Sequence, residues 1–481
     1  MPNKIIGRVA EQQLLQETLT SDKAELIAVI GRRRVGKTYL IESFFQENIV
    51  FQISGIQKMP KKGQLRNFAA QLTKFIRKRN DLPVAVQAPV DWFDAILLLI
   101  DYLETIEAIE KPVVFFDELP WIATHKSGFL AAFSYFWNSW AVKRSIIVVI
   151  CGSAASWMIK KVVHHKGGLH NRITRQLSLA PFTLGETEAY FKHRNLHFDR
   201  YQILQLYMTM GGIPHYLEAI RSGLSATQNI EQICFAPTGL LRDEFSKLYT
   251  ALFKDAHHHI TVIRALATSR QGLTRNKIIR LGKFNDGGKI QTVLEELLQS
   301  GFISTYRPFA KKKKEKLYRL TDEYSLFYLQ FMEGKELEGA NTWQHLSQTQ
   351  AYKIWSGYAF ESICLKHVPQ IKQALQIGGI YSLSSSYYKK GTKEKKGLQI
   401  DLLIDRNDQT INLFEVKFYN ETFIMTKAYA AHLRDKMGVF RHNTQTRKQL
   451  SWIFLSTFGL KANQHSSSII AKDLTMDDLF T

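Results

Sequence analysis

The sequence predicts an α/β chain of several domains, and three observations predict it. The first half alternates short apolar runs with amphipathic helical patterns, which is how a parallel sheet covered by helices reads in sequence. The stretch from Phe182 to about Thr250 turns helical, and beyond Gln350 strand and helix patterns alternate again. The length of 481 residues corresponds to about three domains at roughly 150 residues each. With 45% hydrophobic and 22% charged residues the chain can bury real cores, which excludes a disordered chain.

In the first half, buried strands are expected at Glu25 to Ile30, Ile49 to Ile53, Val113 to Phe116 and Ile146 to Cys151, with helices over Gln64 to Arg77 and Trp92 to Ile109 between them. The aromatic stretch Phe129 to Val142 has helical spacing and is expected to pack in a core or lid rather than to stack bases. The helical stretch after Phe182 is broken by GGIP at Gly211 to Pro214, as in a small helical lid. From His257 to about Leu320, three helical patterns precede a hairpin-like stretch, the order of a winged helix-turn-helix. Seven basic residues stand against one acid, Glu315, between Arg307 and Arg319, where a wing tip would lie. The segment Lys289 to Ser300, in the place of a recognition helix, carries Glu295 and Glu296, so the wing is the better expectation for contact with phosphate. The last unit reads as a helix, strands near Ile377 to Leu383, Leu398 to Asp405 and Ile411 to Phe418, then a helix and a strand at Trp452 to Leu455. Domain ranges of 1–180, 181–255, 256–335 and 350–481 follow.

The charge balance narrows the partner class. Lys and Arg number 64 against 43 Asp and Glu, a net +21, which points to a polyanion such as nucleic acid. Cys151, Cys234 and Cys364 are too far apart for a Cys-x-x-Cys pair and odd in number, as expected in a reducing compartment. MPNKIIGRVAEQ does not read as a secretion signal, and no run reaches the roughly 18 apolar residues that span a bilayer. A cytoplasmic protein with no membrane partner is expected.

After the first strand, GRRRVGKT supplies Gly31, Arg32, Arg33, Arg34, Val35, Gly36, Lys37 and Thr38, followed by Tyr39 at the start of a helical stretch. Strand, loop and helix come in the order of a phosphate-binding P-loop, a pattern that chance gives in about two chains in a hundred of this length. Glycine lets backbone N–H groups turn toward a phosphate, and the helix N-terminus adds its positive end. Lys37 is placed to reach the β- and γ-phosphates of ATP, and the Thr38 hydroxyl to ligate Mg²⁺. The apolar strand VVFFDE ends in Asp117 and Glu118. Asp117 is expected to hold Mg²⁺ through water, and Glu118 to polarise the attacking water.

GRVAE at Gly7 to Glu11, the P-loop, FFDE, ICGS at Ile150 to Ser153 and GGIP together resemble the archaeal-type ATPases of the STAND class, relatives of AAA+ proteins. The resemblance covers roughly Gly7 to Met332 and implies a P-loop NTPase sheet followed by a lid. It implies that Ser153 is a polar sensor, that Arg172 contacts the γ-phosphate with Arg175 as the competing choice, and that Pro214 belongs to the nucleotide-sensing lid signature. Whether the arginine acts within one chain or across a nucleotide-dependent homo-oligomer stays open.

In the last unit, Asp401 falls on one strand and Glu415 and Lys417 on the next. Residues two apart on a strand share a face, so the acids and the lysine are expected to converge. Glu-x-Lys occurs three times in the chain, and only this occurrence lies in an apolar strand, where an acid and a lysine are costly unless paired or used. Glu361, in YAFESIC, would add a carboxylate from the preceding helix. The segment, over about Gln350 to Leu455, resembles the PD-(D/E)xK restriction-endonuclease-like fold, a domain that archaeal-type ATPases carry at the C-terminus. That resemblance implies Mg²⁺ on Glu361, Asp401 and Glu415, with Lys417 activating a water for phosphodiester attack. Ile400 stands where a Pro often precedes the Asp. The loop KKGTKEKK, Lys389 to Lys396, would grip phosphates beside such a face or simply be solvated.

His257, His258 and His259 are expected as exposed imidazoles at a helix entry, and His164, His165 and His170 as loop residues. The chain is thus expected to be an ATP-hydrolysing switch coupled to a DNA-binding, Mg²⁺-dependent nuclease-like domain. The alternative is a nucleotide-controlled DNA-binding or signalling protein whose nuclease fold is inactive.

Overall fold

The computed structural model of the protein describes residues 4–80, 85–106, 109–153, 155–163, 171–285, 287–309, 311, 315–335, 341–391 and 397–481. The chain divides into two compact units. The first is Met1–Pro181 with Glu295–Gly301; the second is Phe182–Leu294 with Phe302–Thr481.

The first unit is built on strands β1 (Glu25–Ile30), β2 (Ile49–Ser54), β3 (Val113–Asp117), β4 (Ile147–Gly152) and β5 (Arg175–Ser178). They form one parallel sheet in the order β2-β3-β4-β1-β5. Every residue of β1, β3 and β4 is buried, which is why these strands read as unbroken apolar runs: a parallel sheet is covered on both faces. The helix Trp92–Glu104 starts at Asp91, whose side chain accepts the N–H groups of Phe93 and Asp94. Its Trp92 meets Phe129 edge-on at 4.9 Å, and Phe116 of β3 meets Phe133 at 5.4 Å. The aromatic stretch from Phe129 is therefore core, each buried ring contributing about 1.5–3 kcal/mol.

In the second unit, the helices Leu184–His193 and Arg200–Met210 come first. Thr183 and Glu186 form a capping box that fixes the start of the first of these. Further along, the helices Ala256–Ala267 and Arg275–Leu281 and the start of the helix Gly287–Gln299, whose last residues from Glu295 fall in the first unit, precede a two-stranded antiparallel hairpin, β6 (Ile303–Tyr306) with β7 (Leu317–Leu320). Leu273 bridges to Tyr318 on β7. The helix Gln350–Lys366 then leads to a five-stranded mixed sheet of β8 (Ser382–Lys389), β9 (Leu398–Arg406), β10 (Thr410–Lys417), β12 (Gln449–Ser456) and β14 (Ile470–Thr475). Strands β8, β9 and β10 are antiparallel neighbours, whereas β10, β12 and β14 run parallel. Two short strands, β11 (Phe423–Ile424) and β13 (Leu460–Lys461), pair separately.

The structure corrects several expectations. The strand signal near Ile377 to Leu383 opens on a turn at Gly378 and Gly379, and the strand begins only at Ser382. Strands β5 and β14 carry no clear apolar signal because each is an edge strand, open on one side and partly exposed. His259 is not exposed: it lies inside the helix Ala256–Ala267 and stacks on Phe253 at 3.9 Å. The three cysteines are buried free thiols. His164, His165, His170, Lys312 to Lys314 and Thr392 to Lys396 lie outside the described residues. Among the described residues no helix is long and apolar enough to cross a membrane.

Candidate functional site

The P-loop runs from the end of β1 into the helix Lys37–Phe45. A Cβ at Gly31 would lie 2.5 Å from the Leu179 carbonyl oxygen, and Gly36 has a φ of 89°, so both positions require glycine. Lys37 is buried, and its ammonium donates to the carbonyls of Gly31 (3.0 Å) and Arg32 (2.8 Å). The Arg8 guanidinium donates to the Val35 carbonyl at 3.3 Å, tying GRVAE to the loop. Arg32 is buried, Arg33 and Arg34 are half-buried, and Arg34 has a φ of 72°. Tyr39 is exposed and donates to the Lys4 carbonyl.

Strand order determines what faces this loop. Because β4 lies between β1 and β3, its end sits next to the acids of β3. The Thr38 hydroxyl donates to Asp117 Oδ2 at 2.9 Å, and the Ser54 hydroxyl, at the end of β2, donates to the same oxygen at 3.1 Å. The Glu118 N–H donates to Asp117 Oδ1 at 2.9 Å. Glu118 adopts a left-handed φ of 46°, uncommon for a residue with a side chain and enriched at functional positions. The Ser153 hydroxyl donates to Glu118 Oε2 at 2.9 Å. A hydroxyl and a carboxylate in direct contact suit a hard divalent cation with phosphate oxygens, so the residues present fit Mg²⁺ and ATP. Burial and the neighbouring Asp117 push the Cys151 thiol up, which keeps it neutral. Ser54 was not legible as a neighbour of Asp117, because nothing in the chain says that β2 flanks β3.

Arg172 is exposed on the turn before β5, and Arg175 is half-buried within β5. Pro214 belongs to the second unit, where it opens the short helix Pro214–Leu217. In that unit a Cβ on Gly211, whose φ is 66°, would lie 2.7 Å from Glu323 Oε2, and Glu323 pairs with Lys366.

The second constellation lies at one end of the mixed sheet. The register of β9 with β10, carried on by two residues, sets Asp401 opposite Glu415. Lys417 lies 3.1 Å from Glu415 Oε1, on the face the two share. The helix Lys427–Thr444 adds two groups that spacing did not reveal: Lys436 donates to Glu415 Oε2 at 2.9 Å, and the Tyr429 hydroxyl donates to Oε1. Burial alone would raise the Glu415 carboxyl, yet the Lys417 and Lys436 ammoniums hold it below its usual range. Glu361 behaves oppositely. Although part of its surface stays open, burial first, then the Asp401 and Glu415 carboxylates, pushes it up to about 8 against the pull of Arg319 and Lys417. Gln399 Nε2 donates to Asp401 Oδ1. Glu361, Asp401, Glu415 and Lys417 are thus neighbours, while among the described residues no three acid, His or Cys side chains converge closely enough to hold a metal ion.

Residues 6–220 match the model of an ATPase domain found predominantly in Archaea. An uncharacterized protein of Methanocaldococcus jannaschii is 23% identical over 421 residues, covering 86% of this chain and 87% of that one. Among solved structures, a Walker-type ATPase of Pyrococcus abyssi superimposes with a TM-score of 0.51 at 18% identity, over 68% of this chain and 96% of that one. The Aeropyrum pernix ORC2 protein, in its ADPNP–ADP complexes, gives a TM-score of 0.43 at 15% identity, over 73% and 97%.

Proposed function

From an archaeal-type ATPase domain over residues 6–220 we infer an ATP-binding and ATP-hydrolysing switch coupled to a DNA-binding, nuclease-like C-terminal domain. The observation that carries the first half is the linked set Lys37, Thr38, Asp117, Glu118 and Ser153. Lys37 would hold the β- and γ-phosphates, Thr38 and Asp117 a Mg²⁺, and Glu118 the attacking water. Mg²⁺, when bound, neutralises charge on the phosphate oxygens. Ser153, bonded to Glu118, orients that carboxylate, and either Arg172 or Arg175 meets the γ-phosphate, within one chain or across a homo-oligomer.

The four functional pieces would be the ATPase core to residue 180, a lid to 255, a winged helix-turn-helix to 335 and the nuclease-like part from 350. The three helices followed by the β6–β7 hairpin support the third of these. The neighbouring Glu361, Asp401, Glu415 and Lys417 support the fourth, as Mg²⁺ ligands and a water-activating ammonium. A route between lid and nuclease-like part is supported within the second unit: Gly211 of GGIP abuts Glu323, which pairs with Lys366 on the helix that carries Glu361.

Lys37→Ala is expected to abolish Mg²⁺-dependent ATP turnover, and Asp401→Ala or Lys417→Ala to abolish plasmid cleavage in Mg²⁺ or Mn²⁺ while ATP turnover persists. Cleavage that survives both C-terminal changes would overturn the site assignment. The inactive-fold reading has its own support, because Glu415 is already neutralised by two lysines and no close metal-ligand group lies among the described residues. It expects salt-sensitive DNA retention and no product in any nucleotide state.

A further inference from the structure

The second unit contains a cavity of about 220 Å³ beside the carboxylates. Arg270, Lys277, Tyr306 and Arg319 come from the three-helix and hairpin segment and form one wall. Glu361, Asp401 and Tyr388 come from the mixed sheet and its leading helix and form the other. The walls are joined by directed hydrogen bonds. Gln271 Nε2 donates to Gln399 Oε1 at 2.7 Å, and Gln399 donates onward to Asp401. The Tyr306 hydroxyl donates to the Gln271 carbonyl, and the Phe309 N–H to the Ser386 carbonyl at 2.8 Å.

The lining carries three kinds of chemistry. Carboxylates suit a divalent cation, guanidinium and ammonium groups suit phosphate oxygens, and tyrosine rings offer flat apolar faces. Tyr388 is 45% exposed, so its ring has a face to give. Together these match a phosphodiester chain with accessible bases. A cavity of about 220 Å³ is too small to enclose a duplex, whose major groove alone is about 12 Å wide. A duplex would also present its base faces to each other and leave Tyr388 nothing to stack on.

We propose that this cavity receives a single unpaired polynucleotide strand, with Arg270, Lys277 and Arg319 gripping its phosphates and Tyr388 stacking a base beside Asp401 and Glu361. The inference rests on the nuclease-like reading given above and adds the form of the substrate. It also assigns the grip to the helix and hairpin segment rather than to the sheet that carries the acids. The strand then needs no sequence preference, because every base has a face to stack and every link a phosphate.

The test uses the full chain and a short fluorescein-labelled oligonucleotide of mixed sequence, as a single strand and as a blunt duplex, with fluorescence anisotropy read in Ca²⁺. The single strand is expected to bind at least about ten-fold more tightly than the duplex. Tyr388→Ser is expected to weaken single-strand binding about ten-fold and to leave duplex binding unchanged. The double change Arg270→Gln with Lys277→Gln is expected to weaken binding and flatten the salt dependence by about one to two units of slope. An unchanged melting curve of the full chain in each variant serves as the folding control. A duplex bound as tightly as the single strand, or a Tyr388→Ser chain with full single-strand affinity, overturns the inference and leaves the nuclease-like reading standing. Absence of binding to both forms overturns the nuclease-like reading itself.

Discussion

The P-loop cleft and the carboxylate–lysine cluster each place acids where phosphate chemistry is expected, and they hold those acids by different physics. Asp117 sits at the end of a fully buried strand and is satisfied by the short hydroxyls of Thr38 and Ser54 and by a backbone N–H. Glu415 sits near the end of the central strand of its sheet and is held by the ends of three long side chains, Lys417, Lys436 and Tyr429. Short donors on a strand end and a helix start set geometry at little entropic cost, whereas long cations compensate desolvation and bring their own charge. In the first cleft the acids are held by short hydroxyls and a backbone N–H, with no counter-cation in direct contact with Asp117 among the described residues. In the second, the charge on Glu415 is already countered, and burial and the neighbouring carboxylates push Glu361 up.

Glu118→Gln tests the contrast with the largest expected effect. Removing the proposed base while keeping the Ser153 contact should slow ATP turnover about 10²- to 10⁴-fold with ATP affinity nearly unchanged. Turnover and nucleotide titration read the two separately, and equal losses in both would mean that Glu118 serves binding instead. In the second unit, acid should reveal a dependence of a different origin. His367 is buried; its Nε2 accepts the Leu184 N–H at 3.1 Å and its Nδ1 donates to the Ile363 carbonyl at 2.8 Å, and burial pushes its pKa down to about 4. The folded state therefore takes up the proton less readily than the unfolded one. Stability is full above the ordinary value near 6.5 and falls as pH drops toward 4, by up to about 3 kcal/mol. Melting curves across that window should show the slope, and His367→Asn should flatten it.

A smaller effect separates the two clefts electrostatically. Lys436→Met leaves Glu415 with Lys417 and Tyr429 only and should cost the second unit about 1–3 kcal/mol, less than loss of a sole partner. The same change should leave the affinity of the first unit for ATP as it was. If Lys436→Met instead raised stability, the lysine would be held in place for function at the expense of folding, and the comparison would sharpen in favour of an active second site.

Much of the first cleft was readable because its parts are contiguous. Gly31 to Thr38 is one loop, and Asp117 and Glu118 end one apolar strand, so spacing alone brings the groups together. In the second cleft, period two pairs Glu415 with Lys417, and the strand–turn–strand pattern and the preceding helix bring Asp401 and Glu361 toward them. Lys436 and Tyr429 gave no signal, since a lysine and a tyrosine on a helix are ordinary surface residues until the sheet they cover is known. His259 was misread for the same reason: its neighbour Phe253 is close only once the chain turns before the helix. The edge strands β5 and β14 escaped because half-exposed strands need no apolar run.

By itself the sequence determined the parallel core, the phosphate loop and the strand positions of the acids, because burial on two faces, the glycine requirement and strand periodicity are local rules. Tertiary structure alone decided that β2 stands beside β3 and so joins Ser54 to Asp117. It also decided that Lys436 neutralises Glu415, and that Arg270 and Arg319 face Asp401 across a cavity. Each of those pairings joins residues distant along the chain, and the free energy that selects them comes from collective burial of the surrounding core, which no short stretch of sequence contains.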